Sequence, residues 1–235
     1  MKPLPTGIAP RLRELPDLKA VLFDIYGTLL ISAAGDTDAD PALDAAIEAA
    51  HARSPHPHPE VDIREIHAGL HPGLPGHEIE RLAIAHECQQ NPVAPMPGAA
   101  DTLRELSARG LALGLISNAQ FYTMPVLDEC LGGGITDSLI DPELCCFSYR
   151  ELRAKPDPFL FEQVRDALSG RGIHPREVLY VGNDVRNDIM PAAASGFRTA
   201  LFAGDARSLR LRGFSPDSCG ADLVITELGQ LVASF

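Results

Sequence analysis

The apolar positions of the chain gather into short unbroken runs separated by amphipathic stretches, and the first run is the most informative. Ala20-Val21-Leu22-Phe23 reads as a buried strand that ends abruptly on Asp24 and turns at Gly27 within Asp24-Ile25-Tyr26-Gly27-Thr28-Leu29. From about residue 95 onward such runs alternate with helical patterns. Ala100 to Arg109 predicts a helix with Leu103 and Leu106 inward and Gly110 just past its end, followed by a strand from Leu111 to Ile116. Asp157 and Pro158 make an N-cap and first-turn pair, after which Leu160, Phe161, Val164 and Leu168 recur at helical spacing until Gly170. Strands are expected at Val178 to Val181 and Thr199 to Phe202, around a helix near Ile189 to Ser195. Asp222 to Ile225 is a last short strand before a C-terminal helix capped by Thr226. This alternation predicts an α/β fold, a parallel sheet with helices on both faces.

Between the first strand and residue 95 the texture changes, because strand signals vanish and three helical patterns appear. Asp40-Pro41 opens a helix with Leu43, Ile47 and Ala50 on one face, Asp62 caps Ile63 to Ala68, and Gly76 to Gln90 carries Ile79, Leu82 and Ala83 inward. A helical domain over residues 33–93, inserted in a core made of 1–32 and 94–235, is the predicted organisation. Its exits, Ile31 to Asp38 and Asn91 to Pro97, carry glycines and prolines suited to hinges. Seven of the eight histidines fall between His51 and His86. His56 and His58 lie among prolines, and His67 and His71 lack the pairing of a zinc site, so a solvated or capping role is expected for them.

Composition narrows the partners. A formal net charge of −12 disfavours nucleic acid and anionic membrane surfaces, and 45% hydrophobic residues in 235 suffice for a buried core. No stretch approaches the roughly 20 apolar residues of a membrane span, and Met1 to Pro16 lacks the apolar centre of a signal peptide. The five cysteines, Cys145-Cys146 among them, are odd in number and show no zinc-like pairing, so reduced thiols in a soluble cytoplasmic protein are expected, as monomer or homodimer.

The chemistry is concentrated at the ends of the apolar runs, where open parallel sheets bind ligands. Asp24 offers a carboxylate nucleophile, Ser117-Asn118 follows a strand with hydroxyl and amide groups, and Lys155 is held in a loop stiffened by Pro156 and Pro158. Asp184 and Asp188 follow the strand Val178 to Val181, so three carboxylates gather at one sheet edge. Such crowding repels unless a cation sits among them, and Mg2+, which takes hard oxygen ligands, is the expected ion.

Taken in order, Asp24-Ile25-Tyr26-Gly27-Thr28, Ser117-Asn118, Lys155 in Ala154-Lys155-Pro156-Asp157-Pro158, and Gly182-Asn183-Asp184-Val185-Arg186-Asn187-Asp188 resemble the four motifs of the haloacid dehalogenase (HAD) superfamily of hydrolases. The likeness covers nearly the whole chain. It implies a Rossmann-like sheet core with an inserted helical cap, Asp24 as nucleophile, and a phosphoryl group bound by Ser117 with Thr28, Asn118 and Lys155 around it. It implies Mg2+ ligation by the Asp24 side chain, the Tyr26 backbone carbonyl and Asp184, with Asp188 acting from behind these ligands or through water. Some relatives place their first motif-four aspartate where Asn183 stands.

One departure matters. Phosphatases of the superfamily carry a second aspartate at the position of Tyr26; it protonates the leaving oxygen and activates water, help worth about 10²–10⁴-fold. Tyrosine, with an ordinary pKa of about 10, is a poor base near neutrality. A phosphatase acting on a small phosphorylated metabolite is the main reading. A 2-haloacid dehalogenase is the first alternative, since that family shows a similar Asp-x-Tyr-Gly-Thr motif and needs no metal; Arg53 stands where a halide-binding arginine would be sought, and the acidic loop Asp184 to Asp188 argues against it. A pseudo-hydrolase that binds a phosphorylated ligand without turnover is the second.

Overall fold

Short apolar runs become strands because each is buried on both faces of one sheet. The computed structural model describes residues 1–33 and 40–234, so the expected hinge at Ile31 to Asp38 lies partly outside the described residues. In chain order the strands are β1 (Ala20–Phe23), β2 (Leu30–Ser32), β3 (Val93–Pro95), β4 (Ala112–Ser117), β5 (Cys145–Phe147), β6 (Val178–Gly182), β7 (Arg198–Phe202) and β8 (Leu223–Ile225). The helices are α1 (Pro41–Arg53), α2 (Ile63–Leu70), α3 (Gly76–Gln90), α4 (Ala99–Ala108), α5 (Thr123–Leu131), α6 (Ile135–Leu139), α7 (Ser148–Glu151), α8 (Phe159–Gly170) and α9 (Met190–Ala194).

A six-stranded parallel sheet runs in the order β5-β4-β1-β6-β7-β8. Phe23, the last residue of β1, lies beside Leu115 of β4 and Val181 of β6, and β4 runs two residues further to Ser117 and β6 one further to Gly182. Strand order reverses between β1 and β6, which opens a crevice at their carboxyl ends. Alternate residues of β1 feed opposite layers. Val21 and Phe23 pack with Leu103, Leu106 and Leu127 of α4 and α5, whereas Ala20 and Leu22 pack with Leu160, Phe161, Val164 and Leu168 of α8. The N-terminal segment pairs Arg11 antiparallel with Val224 on the edge strand β8, satisfying backbone groups that an open edge would expose.

The helices α1 to α3 pack in sequence on one another, with Asp40 and Asp62 capping α1 and α2 through their side chains. The segment leading into α2 is stitched to the core. His58 O accepts from Ala154 N at 2.8 Å, Glu60 N donates to Leu152 O at 3.1 Å, and Gln120 bonds both Val61 O at 2.8 Å and Ile63 N at 3.0 Å.

Four sequence expectations are corrected. Strand signal does not vanish before residue 95: β2 and β3 form an antiparallel ribbon across the two chain crossings, each too short to show alternation. Leu82 points outward at 38% exposure, while Ile79 and Ala83 hold the inner face of α3. The C-terminal element is a 3-10 helix over Leu228–Ser234, in which Leu228 and Leu231 stack at the i,i+3 spacing of that helix and Thr226 serves as no cap. His67 is not solvated; it is 5% exposed, stacks on His71 and packs edge-on against His86, and neither ring nitrogen finds a partner among the described residues.

Candidate active site

Asp24 stands one residue past the end of the central strand, and its backbone N–H still bonds Val181 O at 2.9 Å. Its Oδ1 accepts from Lys155 Nζ at 2.7 Å and from Ser117 Oγ at 2.9 Å. Lys155 enters from the loop before α8, fixed by a 2.7 Å bond from its own N–H to Asn118 Oδ1. Its ammonium, 6% exposed as a residue, also reaches Asp188 Oδ1 at 2.6 Å and Tyr180 OH at 3.2 Å. Burial alone would lower the Lys155 pKa, but Asp188 and Asp24 raise it above its ordinary value, so the ammonium stays charged.

Asp188 is reached because its neighbours make room. Its Oδ2 accepts from the backbone N–H groups of Asn183 at 3.0 Å and Asp184 at 2.9 Å, and a Cβ on Gly182 would fall 2.5 Å from that oxygen. A π-helical turn over Val185–Ile189 follows, begun by Asp184, whose Oδ1 accepts from Arg186 N at 2.9 Å and Asn187 N at 3.2 Å. Two carboxylates on one buried ammonium leave one negative charge at the strand ends.

The other expected residues separate by role. Thr28 is fully buried and its hydroxyl donates to Asn183 Oδ1 at 3.3 Å, which ties the motif-one turn to the motif-four loop. Asn118 spends its carbonyl on the Lys155 backbone. Tyr26 is half-buried, its hydroxyl 3.0 Å from Thr123 Oγ1 at the start of α5, and burial pushes its pKa up to about 12 with Glu87 and Asp24 adding to the shift. Gly27 adopts φ +84° where any Cβ would strike Asn183 and Ser208 at 2.6 Å.

Two residues of the site carry no sequence signal. Tyr180 sits inside an apolar strand, and only its buried hydroxyl, bonded to Ile116 O at 2.8 Å and Asp188 Oδ1 at 3.1 Å, reveals a polar task. Arg212 lies in the loop after β7 and holds Asp184, with Nη2 to Oδ2 at 2.6 Å and Nε to both oxygens at 3.1 and 3.2 Å.

Among the described residues no group of three or more His, Cys, Asp or Glu side chains is gathered to hold a metal ion, so a divalent cation here would depend on two carboxylates and a backbone carbonyl. Asp24 Oδ2 and the Tyr26 carbonyl accept no hydrogen bond from the described residues, and the Asp184 carboxylate already carries a cation, the guanidinium of Arg212 standing in. The donor set is all hard oxygen, which suits Mg2+.

This constellation on this sheet defines the class. The haloacid dehalogenase-like hydrolase family matches residues 18–196, and the chain belongs to it; the protein is a hydrolase of the HAD type. It is 30% identical over 207 residues to Phosphoglycolate phosphatase 1 of Pseudomonas aeruginosa, covering 80% of this chain and 69% of that one. In structure it is similar to a HAD phosphatase from Thermococcus onnurineus, with TM-score 0.58, 18% identity and 92% and 97% of the two chains covered. It is equally similar to the L-2-haloacid dehalogenase from Xanthobacter autotrophicus with chloropropionic acid covalently bound, at TM-score 0.56, 21% identity and 91% and 96% covered. Among the described residues, no helix is long and apolar enough to cross a membrane.

Proposed function

We propose that the protein is a Mg2+-dependent phosphatase that hydrolyses a small phosphorylated metabolite of the cytoplasm through an aspartyl-phosphate on Asp24. The observation that carries this reading is the placing of Asp24 between Lys155 and Ser117 at the rim of the central strand. The Asp24 carboxylate attacks phosphorus, the bond to the leaving oxygen breaks, and water then attacks the aspartyl-phosphate to release inorganic phosphate and the free carboxylate. Lys155 and Ser117 bind and orient the phosphoryl oxygens, and Asp188 keeps the ammonium in place. Asp24, the Tyr26 carbonyl and Asp184 would hold Mg2+, with Asp188 behind them. When bound, the ion supplies positive charge to the phosphate oxygens beside Asp24. Residues 33–93 serve as a cap that selects the substrate over a core made of 1–32 and 94–235. Thr28 and Asn118 act by holding the loops that carry the phosphate-binding groups.

With burial pushing its pKa up to about 12, Tyr26 keeps its proton at neutral pH and is a weaker acid toward the leaving group than the carboxylic acid of other members. Leaving-group quality should therefore control the rate. Aryl and acyl phosphates are expected to turn over with Mg2+, alkyl phosphates slower by up to about 10²–10⁴-fold, and Tyr26→Asp is expected to narrow that gap. Asp24→Asn should abolish turnover with the fold intact, as read by circular dichroism. Wild-type rates in folded Asp24→Asn would overturn the mechanism.

A second reading, metal-free attack on carbon in a 2-haloacid, is favoured by one observation. Arg212 neutralises Asp184, which removes much of the repulsion that the acidic loop would exert on a carboxylate substrate. Halide release in excess chelator, with no phosphate release in Mg2+, would establish it instead.

A further inference from the structure

The loop that follows β7 is built onto the motif-four turn. Arg210 N donates to Asn183 O at 2.9 Å and Arg210 O accepts from Val185 N at 2.9 Å, so backbone bonds bracket Asp184 on both sides. Asn183 Nδ2 donates to Ser208 O at 2.6 Å, and Asp205, 1% exposed, anchors the loop base by accepting from Leu4 N at 3.0 Å. Two residues beyond Arg210 the chain takes φ +54° at Arg212, a left-handed conformation that costs a non-glycine residue roughly 1–2 kcal/mol. That turn delivers the guanidinium to Asp184.

The pairing uses up the carboxylate. Oδ1 receives the N–H groups of Arg186 and Asn187 and the Arg212 Nε, while Oδ2 receives Nη2 at 2.6 Å and Nε at 3.1 Å. The neighbouring arginines are engaged elsewhere, Arg207 on Asp205 and Arg210 on backbone carbonyls of its own loop. The two partners differ in burial: the Asp184 side chain is 10% exposed, the Arg212 side chain 42%. Asp184 is thus enclosed by the fold, while water reaches the Arg212 side of the pair.

We infer that Arg212 is a built-in competitor for the divalent cation, occupying Asp184 in the metal-free protein and leaving when the ion binds, so that its release sets the metal concentration at which the site loads. The inference rests on the Mg2+ reading of the site. Five N–H contacts fill the roughly four lone-pair sites of the Asp184 carboxylate, so an ion that binds there must displace some of them, and the guanidinium, which like charge also repels, is the partner able to leave. In the absence of metal the arginine removes an uncompensated buried carboxylate; in its presence the ion does the same with a higher charge.

The test is calorimetric titration of MgCl2 into the full-length wild type, Arg212→Gln, Arg212→Ala and Asp184→Asn at fixed pH and ionic strength. Arg212→Gln and Arg212→Ala are expected to bind Mg2+ roughly tenfold more tightly than wild type, the order expected on losing a competing charge-assisted hydrogen bond. Asp184→Asn is expected to bind weakly. Equal or weaker binding by both Arg212 variants would overturn the inference. Should either variant fold poorly, the wild type supplies an independent reading: the Nε–H resonance of Arg212 in 15N-labelled protein should shift on adding MgCl2, and an unmoved resonance at saturation would also overturn it. A wild type that hydrolyses phosphate esters with Mg2+ while Arg212→Gln gains no affinity leaves the phosphatase reading standing and this inference refuted. Tighter binding by Arg212→Gln without phosphatase activity does the reverse, and no Mg2+ binding by any variant refutes both.

Discussion

Lys155 is a lysine almost without water, and it stays charged only because Asp24 and Asp188 stand 2.7 and 2.6 Å away. The same contact explains its weight in the fold. Lys155→Met would leave two carboxylates buried side by side with no counter-charge, a change that costs about 3–5 kcal/mol when a buried pair loses one partner. Urea unfolding should show that loss as a lower midpoint at unchanged slope. Double replacement by Lys155→Met and Asp188→Asn should recover part of it, because one of the stranded charges is then gone. The sequence marked Lys155 through the prolines around it, whereas the Tyr180 hydroxyl beneath it was invisible. A tyrosine in an apolar strand reads as core until its partners are seen.

At the scale of elements, the histidines of α2 and α3 are the least comfortable group in the protein. His67 lies among His71 and His86 with no bonded ring nitrogen, and burial first, then the two neighbouring rings, lower its pKa below 6.5, while Asp40 raises it in part. A base with a depressed folded pKa costs nothing while both states are neutral. As pH falls below about 6.5 the unfolded chain takes up a proton that the folded one refuses, and stability declines until the folded pKa is passed. Thermal unfolding followed between pH 8 and pH 5 should therefore show a falling midpoint, and His67→Leu should flatten that slope. The helical periodicity of α2 was legible in the sequence, but its histidines were expected in water because nothing local says which face another helix will cover.

For the whole molecule, the placing of residues 33–93 between two short paired strands makes the cap proposal testable. Every strand of the six-stranded sheet lies outside that span. Replacing the span with a short linker is expected to leave a folded core. The loop carrying Lys155 should loosen in it, because Leu152 and Ala154 lose their bonds to Glu60 and His58. Hydrogen exchange at Arg153 to Lys155 should speed up, and discrimination among phosphate esters should fall. An unfolded product would argue that the cap and core form one cooperative unit.

The sequence by itself determined the alternation of strand and helix, the interruption after the first strand and the four chemical motifs, because burial on two faces and sharp strand ends are local facts written in residue order. It marked Asp24, Ser117, Lys155 and Asp188, whose meeting needs the ends of neighbouring parallel strands, the loop before α8 and the turn after β6 to face one rim. It did not determine β2, β3 and β5, three residues each, since Leu30-Ile31-Ser32, Val93-Ala94-Pro95 and Cys145-Cys146-Phe147 lack the wholly aliphatic run that made the equally short β8 legible. Nor did it mark Arg212, separated from Asp184 by 28 residues and joined to it only when the loop after β7 folds back. Which charge faces which, and which hydroxyl lies under the ammonium, were decided by tertiary structure, because electrostatic partners are chosen by distance in space and not along the chain.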